Sequence, residues 1–384
     1  MTEDNFTEVT QESWFGRIGG AIKGILVGLI LFIVAFPLLF WNEGRSVKEY
    51  KTLKEGGGAV ISVTSDTVDA ANTGKLVHMT GKASTEATLK DPVFGVAANA
   101  LKLKRVVEMY QWKETSHSET KKKLGGGTET VTTYTYSKTW ADKAISSTSF
   151  KDPAEHRNPG TLPYESREQV ADMVSLGAFT LSSSLVGQIN NFEPLPVSND
   201  TPVPATLKGK AKAYETGFYI GADPASPQLG DVRIEFKAAN PTVVSVIAKQ
   251  VSNTFEPYSA KAGGTIEMLQ TGVHTADAMI QEAQESNRIL TWILRAAGFI
   301  LMLIGLSLIF KLLSVLADVL PILGDIVGAG TGIISFLSAA VLSLITIAVA
   351  WIVYRPLLGV ALIVVAAGLT IAIRGKLKSA KTTS

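Results

Sequence analysis

Residues 24–42 read GILVGLILFIVAFPLLFWN, an uncharged run bounded by Lys23 and Glu43. At 1.5 Å of rise per residue it makes a helix about 28 Å long, close to the roughly 30 Å of a bilayer's hydrocarbon core. A signal peptide is the rival reading for an N-terminal apolar block. The chain, however, continues through Pro37, Trp41 and NEGR with no small-x-small cleavage pattern, and Trp41 suits an interfacial anchor. The run reads as a retained transmembrane helix.

Three further apolar blocks lie near the other end. WILRAAGFILMLIGLSLIFKLLSVLA, Trp292 to Ala317, has Arg295 and Lys311 around an uncharged centre, both placed to snorkel to interfaces. The next block is uncharged from Ile326 to Tyr354, and PLLGVALIVVAAGLTIAI follows Arg355. Only YRP separates these two, which predicts a tight helical hairpin with Pro356 at a helix start. The expected fold class is an integral membrane α-helical protein of four spans, carrying a large α+β extramembrane domain rich in antiparallel sheet.

The expected layout is a cytoplasmic tail at 1–17, a first span at 18–42 and an extracytoplasmic domain at 43–274. A connecting helix and second span follow at 275–317, then a cytoplasmic turn at 318–325. Spans at 326–354 and 356–373 and a basic tail at 374–384 complete it. RGKLKSAKTTS at the end has four basic residues and no acid, which places it in the cytoplasm. Arg45, Lys48, Lys51 and Lys54 after the first span outnumber Arg17 and Lys23 before it, so the local count around that span favours the opposite hand.

Composition narrows the function. Lys and Arg total 36 against 34 Asp and Glu, a net charge of +2 that gives no reason to expect a polyanion. The absence of cysteine excludes disulfides, thiolate metal sites and cysteine nucleophiles. Small residues recur at four-residue spacing in Gly16, Gly20, Gly24 and Gly28, and again in Gly324, Gly328 and Gly332. In lipid such stripes allow close helix packing, either within the chain or between copies of it.

The insert between the first two spans alternates with period two. VTTYTYSKTW and VVEMYQW read as paired strands around the polar tip KETSHSETKKKLGGGTET, and GDVRIEF and TVVSVIAKQ read as a second hairpin joined by KAANP. Helical signals fall at 165–185 and at 274–290, where Thr275 is a cap and the helix runs into the second span. Lys102, Lys104 and Arg105 lead into the VVEMYQW strand. Their order does not interleave basic and aromatic residues on one open face, so nucleic acid is not an expected partner. Contact with anionic lipid is the functional alternative to a structural role for this cluster.

NEGR at 42–45, LVHMTG at 76–81, DPVFGV at 91–96 and LKLKRVVEMYQWKET at 101–115 resemble the transmembrane protein 43 (LUMA) family. YTYSKTW, HRNP at 156–159, GDVRIEF, VSVIAKQ, LRAAGF at 294–299 and YRPL at 354–357 do so too, in order along most of the chain. The resemblance implies one N-terminal span, a luminal domain, three C-terminal spans and cytoplasmic termini. It further implies residence in the endoplasmic reticulum and inner nuclear membrane for animal members, and a role in organising membrane complexes. It brings no established reaction. KKKLGGG and the acidic N-terminal tail match no family motif.

Catalytic motifs are missing: there is no G-x-S-x-G, Walker A loop, H-E-x-x-H or acidic calcium loop. The expectation is therefore no catalytic residue, no metal and no cofactor. The four histidines His78, His117, His156 and His274 are scattered, with His156 the one that merits inspection. NDT at 199–201 is a glycosylation sequon if the chain enters a eukaryotic secretory pathway.

The remaining polar candidates sit at membrane edges. Asp318 and Asp325 flank Pro321, with Arg295, Lys311 and Arg355 as candidate counter-charges. The plain reading makes both acids wet residues of a cytoplasmic turn. The leading function is a non-enzymatic organiser of membrane protein complexes, with the bilayer, other membrane proteins and further copies of itself as partners. The alternatives are a lipid-acting enzyme built on Asp318 and Asp325, or a channel or channel-accessory protein.

Overall fold

The computed structural model describes residues 4–197, 207–215 and 217–357. The sequon at 199–201, all but the first two residues of the expected span at 356–373, and the tail at 374–384 lie outside the described residues. The chain divides into two compact units. The first comprises Met1–Val9, Lys54–Glu119 and Val131–Gln281, and the second Thr10–Leu53, Thr120–Thr130 and Glu282–Ser384.

The first unit is built on antiparallel sheet. One sheet runs in the order Asp4–Glu12, Thr128–Ala141, Lys102–Lys122, Val232–Ala239, Gly217–Ile220, Ala211–Tyr214. The aromatic hairpin is therefore real, and longer than the sequence pattern implied. In its first half Val107 and Met109 point into a core with Phe94, Phe218, Ile234 and Phe236. Val107 pairs with Ile234 and Met109 with Val232.

A second sheet centres on Thr242–Val251, paired antiparallel with Leu76–Ser84 on one side and with Met268–Thr271 on the other. The expected hairpin of GDVRIEF with TVVSVIAKQ is thus corrected: its two strands lie in different sheets. The reason is visible in their patterns. Val232–Ala239 alternates, as a half-buried strand does, whereas Val244–Ala248 is buried on both faces, so the two strands suit different surroundings.

The helical signal at 165–185 is also corrected. That segment forms short strands Arg167–Val170, Ser175–Leu176 and Phe179–Thr180 before a short helix, α2, Ser183–Gly187, capped by the Ser182 hydroxyl. Gly177, at φ +60°, makes the reversal between the last two strands, and a β-carbon there would collide with the Ser65 carbonyl. The apolar residues Val174, Leu176, Phe179 and Leu181 still enter the core, but from strand and turn.

Three helices among the described residues are long and apolar enough to cross a membrane: α1 (Trp14–Ala59), α3 (Ala276–Ala317) and α4 (Pro321–Tyr354). The expected connecting helix is continuous with the second span. Thr275 Oγ1 accepts from the Ala278 N–H at 3.2 Å, as a cap should. Pro321 opens α4, where its missing N–H is harmless.

Within the helical unit, Ala35, Leu39, Met302, Leu306 and Ala339 form the buried centre. Most of the apolar side chains of the three segments face outward, as for helices whose solvent is lipid. Residues Thr120–Thr130, the end of the hairpin, group with the helices, as do residues 43–53 at the start of the expected 43–274 insert.

Candidate functional site

The helical unit carries two polar layers. Arg295 and Asp318 are 23 positions apart, so the layers are separated by about 35 Å along the α3 direction, near the thickness of a bilayer.

The first layer is centred on Glu43, which is fully buried. Arg295 grips it with both arms, Nε to Oε1 at 2.6 Å and Nη2 to Oε2 at 2.9 Å, and the Trp351 indole donates to Oε2 at 2.7 Å. The Arg295 guanidinium also lies over the Trp292 ring at 4.7 Å. Beside this pair, Asn42 donates to the Thr291 carbonyl at 3.0 Å, and Arg45 donates to Asn287 at 3.0 Å and to Thr291 Oγ1 at 3.1 Å. A bidentate pair with an extra donor offsets the desolvation of a buried charge far better than a single contact does. Gly44 completes the layer: a β-carbon there would press on the Tyr354 ring at 2.7 Å.

Around Asp318, the second layer forms in the turn between α3 and α4. Its carboxylate takes a hydrogen bond from Arg17 through Oδ2 and another from Lys122 Nζ at 2.6 Å through Oδ1. Lys122 also reaches Asp325 Oδ1 at 2.8 Å. Arg17 donates a second bond to the Gly126 carbonyl at 2.5 Å, the Gly125 N–H donates to the Val319 carbonyl at 3.2 Å, and the Trp14 indole donates to the Val315 carbonyl at 2.8 Å. Gly126, at φ +81°, is the turn residue on which the Trp14 ring rests, and a side chain would fill the space of that ring.

Burial alone would raise the Asp318 pKa, but the hydrogen bonds and positive charge of Lys122 and Arg17 hold it below the usual carboxylate value. Lys122 moves the opposite way: burial opposes its charge, and the bonds to Asp318 and Asp325 raise it above the ordinary lysine value. The arrangement is an ionic clasp joining the start of α1, the hairpin tip and the α3–α4 turn.

Of the residues singled out in the sequence, Asp318 and Asp325 are brought together, though by a lysine that the sequence reading did not select. The reading of two wet acids is corrected for Asp318, which is fully buried; Asp325 is exposed. Asp318 takes Arg17 and Lys122 as counter-charges, while Arg295 goes to Glu43. Arg355 sits over the Trp351 ring at 6.0 Å.

Lys102 and Arg105 are buried. Lys102 donates to the Gly187 carbonyl at 2.8 Å, and Arg105 Nη1 reaches both carboxylate oxygens of Asp91, at 2.8 and 2.9 Å, while its Nε donates to the Glu165 carbonyl at 2.9 Å. Only Lys104 of that trio is partly exposed, with its ammonium 5.4 Å from the Phe192 ring centre. No exposed basic cluster remains there for lipid.

The glycines fall into groups. Gly28 faces Gly305, and a β-carbon would lie 3.9 Å from Leu308 if built on Gly24, against Asp318 if built on Gly324 and 3.0 Å from Ser314 if built on Gly328, all within the chain. A β-carbon on Gly16 would meet Glu12 and Ser13, one on Gly20 would lie 3.8 Å from a Glu12 oxygen, and one on Gly332 would meet nothing within 4 Å. Sequence reasoning missed Glu43, Arg17 and Lys122. For Glu43 the signal was present, because it is the first carboxylate after an apolar run and falls beside Trp41.

In the sheet unit, His156 stacks on Tyr136 at 3.6 Å and meets the Trp112 edge at 4.8 Å. Asn158 closes the same loop by accepting from the Trp112 N–H at 2.7 Å and donating to its carbonyl at 2.8 Å. Burial, then the hydrogen bond to Glu114, pushes the Tyr136 hydroxyl up to about 12. HRNP is thus a structural latch. Among the described residues, no three His, Asp or Glu side chains converge as a metal site would require.

A model of the family described as transmembrane protein 43 matches residues 109–356. The chain is 36% identical to transmembrane protein 43 of Rattus norvegicus over 91% of its length and 89% of that protein. It is 35% identical to the protein of the same name from Homo sapiens, over 91% and 88% of the two chains. A Drosophila melanogaster homolog is 31% identical over 89% of this chain and 92% of its own. No solved structure matches.

Proposed function

Because the chain belongs to the transmembrane protein 43 family, we propose that it is a non-enzymatic membrane protein whose sheet domain and helices organise other membrane proteins. The observation that supports this most is the commitment of the buried acids. Glu43 is saturated by Arg295 and Trp351, and Asp318 by Arg17 and Lys122. A general acid or base has to exchange a proton near neutrality, whereas Asp318 is held ionised by two cationic donors and Glu43 is fixed in place by the Arg295 guanidinium and the Trp351 indole. These groups are suited to locking helices, not to turning over a substrate.

In this reading α1, α3 and α4 cross the bilayer, and the clasp lies at the face where α1 begins. Lys122 and Asp318 then share one compartment. A eukaryotic member would work in the endoplasmic reticulum and inner nuclear membrane, and a prokaryotic one in the cell membrane. Self-assembly belongs to the same proposal, with Gly20 as the stripe position left open for a second copy.

Cross-linking in the native membrane tests the role. The expected result is a reproducible complex in which defined membrane proteins, or further copies of the chain, are present at stoichiometric levels. A protein that remains monomeric without neighbours, or one that turns over a lipid and loses that turnover in a folded Asp318→Asn variant, would overturn it.

A further inference from the structure

Between α3 and α4 lies a notch of about 180 Å³, lined by Ser307, Lys311, Ser314, Thr331 and Ser335 together with Gly328 and Gly332. Polar walls are unusual in the apolar part of a spanning pair, where each hydroxyl has to find a partner. Three of the four do so within their own helices or the adjoining backbone. Ser314 donates to the Gly324 carbonyl at 3.0 Å, Thr331 to that of Gly328 at 3.0 Å, and Ser335 to that of Thr331 at 2.8 Å. Their protons are spent, and their oxygens keep lone pairs that can still accept.

Lys311 is different. It lies seven positions before Asp318, about 10 Å along the helix from the clasp. It is exposed, and no acceptor among the described residues reaches its ammonium, whereas Arg17, Lys122 and Arg295 in the same unit are all paired. An unpaired ammonium at this depth needs an anion, and its four-carbon stem can carry it toward the headgroup layer. Ser307, whose hydroxyl has no acceptor among the described residues, supplies a second donor on the same wall.

We infer that this notch binds one anionic phospholipid, with the phosphate on Lys311 and Ser307. The free lone pairs of Ser314 and Thr331, both partly exposed, then select the headgroup. They accept from hydroxyl donors, which glycerol and inositol headgroups carry. A choline headgroup has no donor, and its fixed positive charge repels Lys311. The site therefore prefers a hydroxyl-bearing anionic lipid over a zwitterionic one, beyond what the general attraction of a basic surface provides.

The full chain in nanodiscs of phosphatidylcholine doped with phosphatidylglycerol tests the site, with retained lipid counted by native mass spectrometry. The expected result is one retained phosphatidylglycerol per chain, weakened about fivefold in Lys311→Gln and kept in Lys311→Arg. Lys23→Gln is the control for general surface charge, since Lys23 lies outside the notch. An equal loss in Lys23→Gln and Lys311→Gln would overturn the site and leave only surface attraction. Displacement by millimolar inorganic phosphate would overturn the lipid assignment in favour of a free anion. Cross-linking of a Lys311→Cys variant to residues 358–384 in the folded protein, with no lipid retained, would show the notch filled by the chain itself and also overturn it.

Discussion

Gly28 and Gly305 face each other where α1 crosses α3. A β-carbon on either residue would stand 2.6 or 2.7 Å from the other's carbonyl oxygen. Backbones this close gain dispersion and weak C–H···O contacts that lipid cannot supply, and they leave no room for a methyl group. Gly28→Ala is therefore expected to destabilise the helical unit by ~1–3 kcal/mol, read as a fall in thermal midpoint in detergent. Gly332→Ala, with nothing nearby, is expected to be neutral in the same assay. Loss of a cross-linked dimer in Gly332→Ala, without loss of stability, would assign that end of the stripe to contacts between copies.

The ion pairs from Lys122 to Asp318 and Asp325 carry a topological consequence. A boundary that placed all of 43–274 on the opposite face from 318–325 would separate these partners by the bilayer. The chain has no cysteine, so Lys123→Cys and Asp325→Cys are each a unique label site. Both are expected to react with an impermeant maleimide from the same side of sealed vesicles. Reaction from opposite sides would dismantle the clasp.

The clasp also has a defined pH range. The Asp318 carboxyl, held below its unfolded value, contributes stability above that value and loses it as pH falls through the lower folded one. Lys122, held above its unfolded value, contributes below that value and loses it as pH rises through the higher folded one. Spin labels at Lys123→Cys and Ile322→Cys are expected to keep a constant separation across neutral pH. The separation should grow only below the ordinary carboxylate value of 3.8 or above the ordinary lysine value of 10.5. A change near neutrality would assign the contact to another titrating group.

What the sequence made legible follows from how local each signal is. Residues 24–42 and the block from Trp292 to Ala317 announce their helices because length and apolarity are properties of the run itself. Thr275 marked a helix start because a cap acts within three residues. The pairing of Val232–Ala239 and Thr242–Val251 was misread because proximity across KAANP is the usual rule, and here a strand buried on both faces overrode it. The segment 165–185 carried an apolar period that both helix and short strands satisfy, and only the Gly177 reversal decides between them. Asp318 was visible as a costly acid. Its partners were not, because Arg17 and Lys122 are 301 and 196 residues away, and charge complementarity over such distances leaves no local mark.

The central claim is that the buried charges of the helical unit are closed structural pairs. A double-mutant cycle on Glu43 and Arg295 measures this directly, using Glu43→Gln, Arg295→Gln and the double variant, each unfolded reversibly in mixed micelles. Each single variant strands a buried charge and is expected to cost ~3–5 kcal/mol, while the double variant loses well under the sum of the two. Strictly additive losses would contradict the account, because they would mean that Glu43 and Arg295 do not hold the helices through each other.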